Sequence, residues 1–326
     1  MKQLLSSLSL PRLPPLAEKL VLGALLAGLA AFPFLADNYI IHIGILCLIY
    51  SALALSLNII IGLSGQFSLG HVTFYGMGAY VCALLMMRAG LNFWLALLGA
   101  AVFCGIFGFL LALPTLKLRG DYVAVVTLGF GEVFRMFLMN AESLTYGTRG
   151  IPSIPVPSIL GFAINSKIRF YFMFLIILIA IVIFVRRMLN SGFGIAIMTI
   201  NDDPIAASAI GIFPTKYKLV SFVIGAVIAG VMGGLFAVYT RFIGPTNFAY
   251  SESILMVAMV VLGGLGSIPG SILGATLLTI LPEALRSMSQ YRMIIYGLAM
   301  VVVMIFRPHG IWGMDKRKKN AYLQNL

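Results

Sequence analysis

The residues able to do chemistry are few and clustered. Gln66, Ser68, His71 and Thr73 fall within Gly62-Leu63-Ser64-Gly65-Gln66-Phe67-Ser68-Leu69-Gly70-His71-Val72-Thr73, a stretch set between strongly apolar runs. At membrane depth such amide, hydroxyl and imidazole groups are unsatisfied against lipid, so the stretch must be buried in protein or line a wet cavity. Close packing through small residues accounts for its Gly and Ser, but not for Gln66 and His71. The chemistry on offer is a path for a polar solute. Glu132 joins this candidate set, and it lies three residues before Arg135, so on a helix the two share a face and can pair. Glu283 and Arg286 repeat that spacing.

Bond-making chemistry finds no equivalent. No nucleophile stands beside a base, no metal-ligand spacing occurs, and Cys47, Cys82 and Cys104 lie inside apolar segments as small core residues. The run Gly263-Gly264-Leu265-Gly266-Ser267-Ile268-Pro269-Gly270 is no phosphate-binding loop, because no Lys-Ser or Lys-Thr follows a Gly at the required spacing. It reads as a tight turn between two apolar segments. No cofactor is expected on this chain.

The elements that hold these residues follow from composition. Of 326 residues 61% are hydrophobic and 10% charged, with a mean hydropathy of +1.04. Soluble domains carry about 25% charged residues, so the fold class is all-α, a polytopic helical membrane protein. Candidate spans are 20–36, 39–61, 66–87, 93–113, 122–139, 168–185, 217–240, 253–266, 269–285 and 291–306. That makes about 8–10 transmembrane segments at roughly 20 residues each, with 253–266 short enough to be re-entrant. Residues 1–19 form an N-terminal segment, 20–313 the membrane domain and 314–326 a basic tail. The net charge of +12 sits between apolar segments and at the ends, with no basic face of the kind that nucleic acid requires. Ten crossings from a cytoplasmic N-terminus place Lys117, Arg119, the 186–218 loop and Lys316-Arg317-Lys318-Lys319 on the cytoplasmic side, in accord with the positive-inside rule. The loop Asn140 to Lys167, with Pro152, Pro155 and Pro157, then lies outside.

The 186–218 loop combines paired bases, adjacent acids, Gly and Pro. Asn201 or Asp202 can cap a short helix with Pro204 in its first turn and Gly211 as its stop, leaving Ala206 and Ala207 too small to hold a partner away. Ile205-Ala206-Ala207, three residues, then Gly211 resembles the Glu-Ala-Ala signature of ABC-importer permeases, with Ile205 in place of the glutamate. The resemblance implies a coupling helix that docks on an ATPase subunit through Asp202, Asp203, Pro204, Ala206, Ala207 and Gly211, either aspartate supplying the acidic contact.

Val72-Thr73-Phe74-Tyr75-Gly76-Met77-Gly78-Ala79-Tyr80, Leu118-Arg119-Gly120-Asp121-Tyr122-Val123-Ala124, Val126 to Glu132, Gly263 to Ser271 and Phe306 to Gly313 are similar to the branched-chain amino acid importer permeases, in order, over about residues 40–313. The resemblance implies one half of a heterodimeric pore in a bacterial inner membrane, with a second permease subunit, two ATPase subunits carrying ATP and Mg, and a periplasmic binding protein. Relatives that carry urea or short amides offer an alternative substrate. An ion-coupled secondary transporter is the alternative mechanism, and an integral-membrane enzyme lacks the carboxylate or His pairs it would need.

Overall fold

In a computed structural model of the chain, residues 27–284 are described, apart from 117, 119, 160 and 161, together with 297 and 310–313. Arg286, the expected span 291–306 and the two terminal segments lie outside them, apart from residue 297, and 20–36 lies partly outside. Helix α1 is described over 27–35. There follow α2 (Asn38–Asn58), running into a π-helical turn at Ile59–Leu63, then α3 (His71–Met87), α4 (Phe93–Thr115) and α5 (Asp121–Asn140). After α6 (Glu142–Thr145) and strands β1 (Ile151–Pro152), β2 (Ser158–Ile159) and β3 (Phe162–Ala163), the chain forms α7 (Lys167–Leu189), α8 (Gly192–Asp202), α9 (Pro204–Ala209) and α10 (Pro214–Thr240). It ends with β4 (Phe242–Ile243), α11 (Tyr250–Gly263) and α12 (Ile268–Ala284).

Six of the described helical stretches are long and apolar enough to cross a membrane, and His71–Met87 and Ile268–Glu283 are shorter apolar helices. The expected spans therefore recur, with one correction of substance. The span 66–87 is broken: α2 ends in a wide turn, the backbone is irregular over 64–70, and helix resumes only at His71. A π turn followed by Gly65 at φ +68° redirects the chain there, where an α-helix would have carried straight on.

Contacts between distant residues sort the helix ends into two groups. Asn201 donates to the Gly62 carbonyl, and Asn58 bridges to Gly266 and Ser267, which gathers the ends near 62, 201 and 266 together. Lys167 donates to the Asn38 carbonyl, Arg88 to those of Ser143 and Leu144, and Ile151 pairs with Ile243, which gathers the opposite ends. At that second end β1 and β4 pair antiparallel, and β2 pairs with β3 in a separate two-stranded sheet within the Pro-rich segment between α5 and α7.

The short helix α3 is fixed by close approach to α10. A Cβ on Gly78 would run into the Gly230 backbone, and one on Gly233 into the Tyr75 carbonyl, so the two backbones touch where both lack side chains. Asn58 performs the corresponding service for α11 and α12. Its side chain is buried, accepts from the Gly266 N–H at 2.8 Å and donates to the Ser267 carbonyl at 3.2 Å, across the Gly-rich turn. Asn58→Leu leaves the Gly266 N–H unmatched, at about 1–3 kcal/mol, while the Ser267 carbonyl keeps Ser271 as a donor. The purified chain is expected to melt lower by roughly 5 °C. An unchanged Tm would show that the turn does not depend on this side chain.

Candidate functional site

The broken head of α3 brings Gln66, Ser68, His71 and Thr73 into the interior of the bundle. All four are buried. His71 Nε2 lies 2.7 Å from Ser56 Oγ on α2, Thr127 Oγ1 on α5 accepts from the Leu69 N–H at 3.0 Å, and Ser253 Oγ on α11 donates to the Leu69 carbonyl. The segment is thus held by three surrounding helices. Yet both amide atoms of Gln66, Ser68 Oγ, His71 Nδ1 and Thr73 Oγ1 have no hydrogen-bond partner among the described residues. Buried polar groups are nearly always paired, so five such atoms within eight residues call for a partner from outside the chain.

Glu132 stands apart from this group. Its Oε2 receives Arg135 Nε at 3.0 Å and Nη2 at 2.9 Å, so the carboxylate is engaged along α5 itself. The link to the break is the adjacent Gly131, where a Cβ would press on Thr73 Oγ1.

A second carboxylate, missed in the sequence, lies deeper. Glu252 is in the first turn of α11, half-buried, and its Oε2 accepts from Tyr50 Oη at 2.8 Å. Tyr50 sits midway along Asn38–Leu63, about 18 Å from either end at ~1.5 Å per residue. A charged side chain at mid-membrane costs about 2.5–3.5 kcal/mol by insertion measurements. The tyrosine hydrogen bond offsets about 1.5–3 kcal/mol of that cost and the helix N-terminus about 0.3–1 kcal/mol. Tyr75 is within electrostatic range of both groups and packs its ring on Phe236 and Phe248, each at 5.3 Å. The sequence signal was a lone Glu beside an expected span; its distance from Tyr50 in the chain hid the pairing.

At the other candidate site the helix cap is corrected. Asp203, and neither Asn201 nor Asp202, caps α9: its Oδ1 accepts from the N–H of Ile205 at 2.8 Å and of Ala206 at 3.1 Å. The reason is Pro204 at the first helical position, which forces the residue before it into extended backbone, the conformation that a cap needs. The stop falls at Gly211, at φ +84°, with Gly211 N–H on the Ser208 carbonyl and Ile212 N–H on that of Ala207, the Schellman pattern. The loop also shrinks, because α7 continues to Leu189, α8 occupies Gly192–Asp202 and α10 starts at Pro214.

Ala206 and Ala207 part company. Ala206 is exposed, but Ala207 is 0% exposed and belongs to the chain's own core, so its small size serves the approach of α9 to the bundle. Asp202, Asp203, Pro204 and Gly211 are exposed. So are three large apolar side chains, Ile205 at 82%, Ile210 at 70% and Phe213 at 72%.

Membrane-length apolar helices around a polar break define a polytopic helical permease, an integral membrane protein. The chain belongs to the family described as "Branched-chain amino acid transport system / permease component", whose model matches residues 39–304. It is 38% identical to the high-affinity branched-chain amino acid transport system permease protein LivM of Salmonella typhimurium, over 92% of this chain and 76% of that protein. It is 27% identical to LivH of Escherichia coli, over 83% of this chain and 93% of the relative, and 26% identical to BraD of Pseudomonas aeruginosa over the same shares. No solved structure matches.

Proposed function

We propose that this chain is the permease subunit of an ATP-driven importer of branched-chain or related hydrophobic amino acids. With a second permease subunit it forms the translocation pore, and it transmits ATP hydrolysis from two partner ATPase subunits without catalysing a reaction. The observation that carries the reading is the set of unpartnered polar atoms at the head of α3, inside a bundle that is otherwise apolar. A path for zwitterions needs such groups, and they stay buried until a partner subunit or the substrate completes them. The names of the relatives favour branched-chain amino acids over urea or short amides.

In this reading α9 is the coupling helix. Its exposed Ile205 and Ile210, with Phe213 beyond the stop, form the apolar part of a docking surface, and exposed Asp202 and the rim of Asp203 the acidic part. The 190–213 segment and both termini are then cytoplasmic, in the inner membrane, and the 141–166 segment receives the periplasmic binding protein. Uptake by proteoliposomes holding all the subunits tests the class: leucine should enter with ATP and binding protein, and should not enter on an ion gradient alone.

The pathway itself is expected to show in cysteine labelling. Gln66→Cys, Ser68→Cys and His71→Cys should react with small polar thiol reagents in the assembled, turning-over importer, at least tenfold faster than Leu98→Cys on the outward face of α4. Leu48 on α2 would not serve as the lipid-facing comparison, since it is only 6% exposed and lies in the core. Equal protection at all four sites would reduce the break to a packing feature.

A further inference from the structure

The α11 carboxylate is not used by anything described so far. Among the described residues, Glu252 has no cationic partner, and Tyr50 engages only one of its oxygens. Ser251 beside it is exposed, as are Thr246 and Asn247 in the turn that leads from β4 into α11, and Glu252 is itself half-buried. Ser253, the next residue, ties the head of α11 to the Leu69 carbonyl, within the irregular segment that carries the unpartnered hydroxyl of Ser68 and leads on to that of Thr73. Tyr75, Phe236 and Phe248 supply aromatic surface beside it.

We propose that Glu252, presented by Tyr50 at the head of α11, is the membrane-depth site that takes the α-ammonium group of the transported amino acid. The assignment rests on the transport reading above. A free carboxylate oxygen selects a cation, the neighbouring aromatic faces favour an ammonium carrying an apolar side chain, and the hydroxyls at the head of α3 are donors suited to the same molecule's carboxylate. A zwitterion with an apolar side chain satisfies all three features. An amide such as urea has no cation to offer and would leave the carboxylate unmatched.

Two measurements test the site. In proteoliposomes with the complete assembly, binding protein and ATP, Glu252→Gln should reduce leucine uptake at least tenfold while Glu252→Asp recovers a substantial part of it. Independently, the ratio of the rates at which Ser251→Cys in isolated membranes reacts with a trimethylammonium-bearing and with a sulfonate-bearing methanethiosulfonate should be about tenfold higher than the same ratio for a small free thiol, the parent chain serving as blank. In Ser251→Cys/Glu252→Gln that ratio should fall towards the free-thiol value, which loss of packing alone would not produce. Parental uptake by Glu252→Gln overturns the proposal, as does a ratio that Glu252→Gln leaves unchanged. If Glu252→Gln does not assemble, the labelling ratio on the inserted chain decides alone. Failure of the parental assembly to take up leucine on ATP would instead count against the transport reading.

Discussion

Ala206→Arg and Ala207→Arg, neighbours in sequence, are expected to fail at different stages. Ala207 has no exposed surface, and its carbonyl and N–H close the turn with Ile212 and Asp203. An arginine there must either overfill the contact between α9 and the bundle or expel the helix. Overpacking costs about 1–3 kcal/mol and a buried unpaired charge several more. Even ~3 kcal/mol raises local opening by a factor of about 150. Chymotrypsin, for which neither substitution creates a site, should therefore cut the 186–218 region of Ala207→Arg far faster than that of the parent. Ala206→Arg projects into solvent and should insert, resist chymotrypsin like the parent and melt at the same temperature. Under the docking reading it should lose its ATPase subunits on purification, by at least tenfold. ATPase retained at the parental level by Ala206→Arg would move the contact elsewhere, and parental chymotrypsin resistance in Ala207→Arg would contradict the burial.

Gly233→Leu is expected to remove most of the folded protein. A side chain at this position meets the Tyr75 carbonyl and the Ala79 N–H, backbone atoms that cannot swing aside, and α3 is packed between α10 and α4. Separating the two backbones by the width of a leucine opens the interface that fixes α3. The cost should exceed ~3 kcal/mol, the upper range for overpacking, enough to reduce recovery of a monodisperse detergent-solubilised peak by an order of magnitude or more. Gly129→Leu on α5 is the matched comparison, because nothing lies within 4 Å of a Cβ there. Equal recovery of the two variants would show that the contact between α3 and α10 is dispensable.

Much of the fold was legible because a bilayer imposes a length. The runs that became α2, α4, α5, α7, α10 and α12 are near-continuous apolar stretches, and their ends moved by a few residues only. The polar character of Gln66, Ser68, His71 and Thr73 was legible for the same reason. What escaped was set by partners far away in the chain. The apolar count carries on through Phe67 and Leu69, so it hides a break that depends on Thr127 and Ser253 holding the backbone of Leu69. Glu252 meets Tyr50 across 202 residues. Ala206 and Ala207 are one residue type in one short helix, and only the packing of α9 on the bundle tells them apart. Asn201, Asp202 and Asp203 are all competent caps, and the proline that chose between them was visible but was not put to that use. Helix α8, opened by Gly192 and Gly194, looked like loop because its apolar face, from Ala196 to Ile200, is covered only by tertiary structure.

Asn58 also sets a timetable. Its amide meets Gly266 and Ser267, and the latter lies 209 residues later in the chain. At about 5–20 residues per second, a ribosome delivers that turn roughly 10–40 s after α2 has been made. Through that interval α2 carries an unmatched amide, with Ser51 and Ser56 on the same helix, in surroundings that punish exposed polar groups. The first half of this chain is therefore an unfinished membrane protein for much of its own synthesis, dependent on the insertion machinery for shelter, and truncation before residue 266 should turn it into a substrate for membrane quality control.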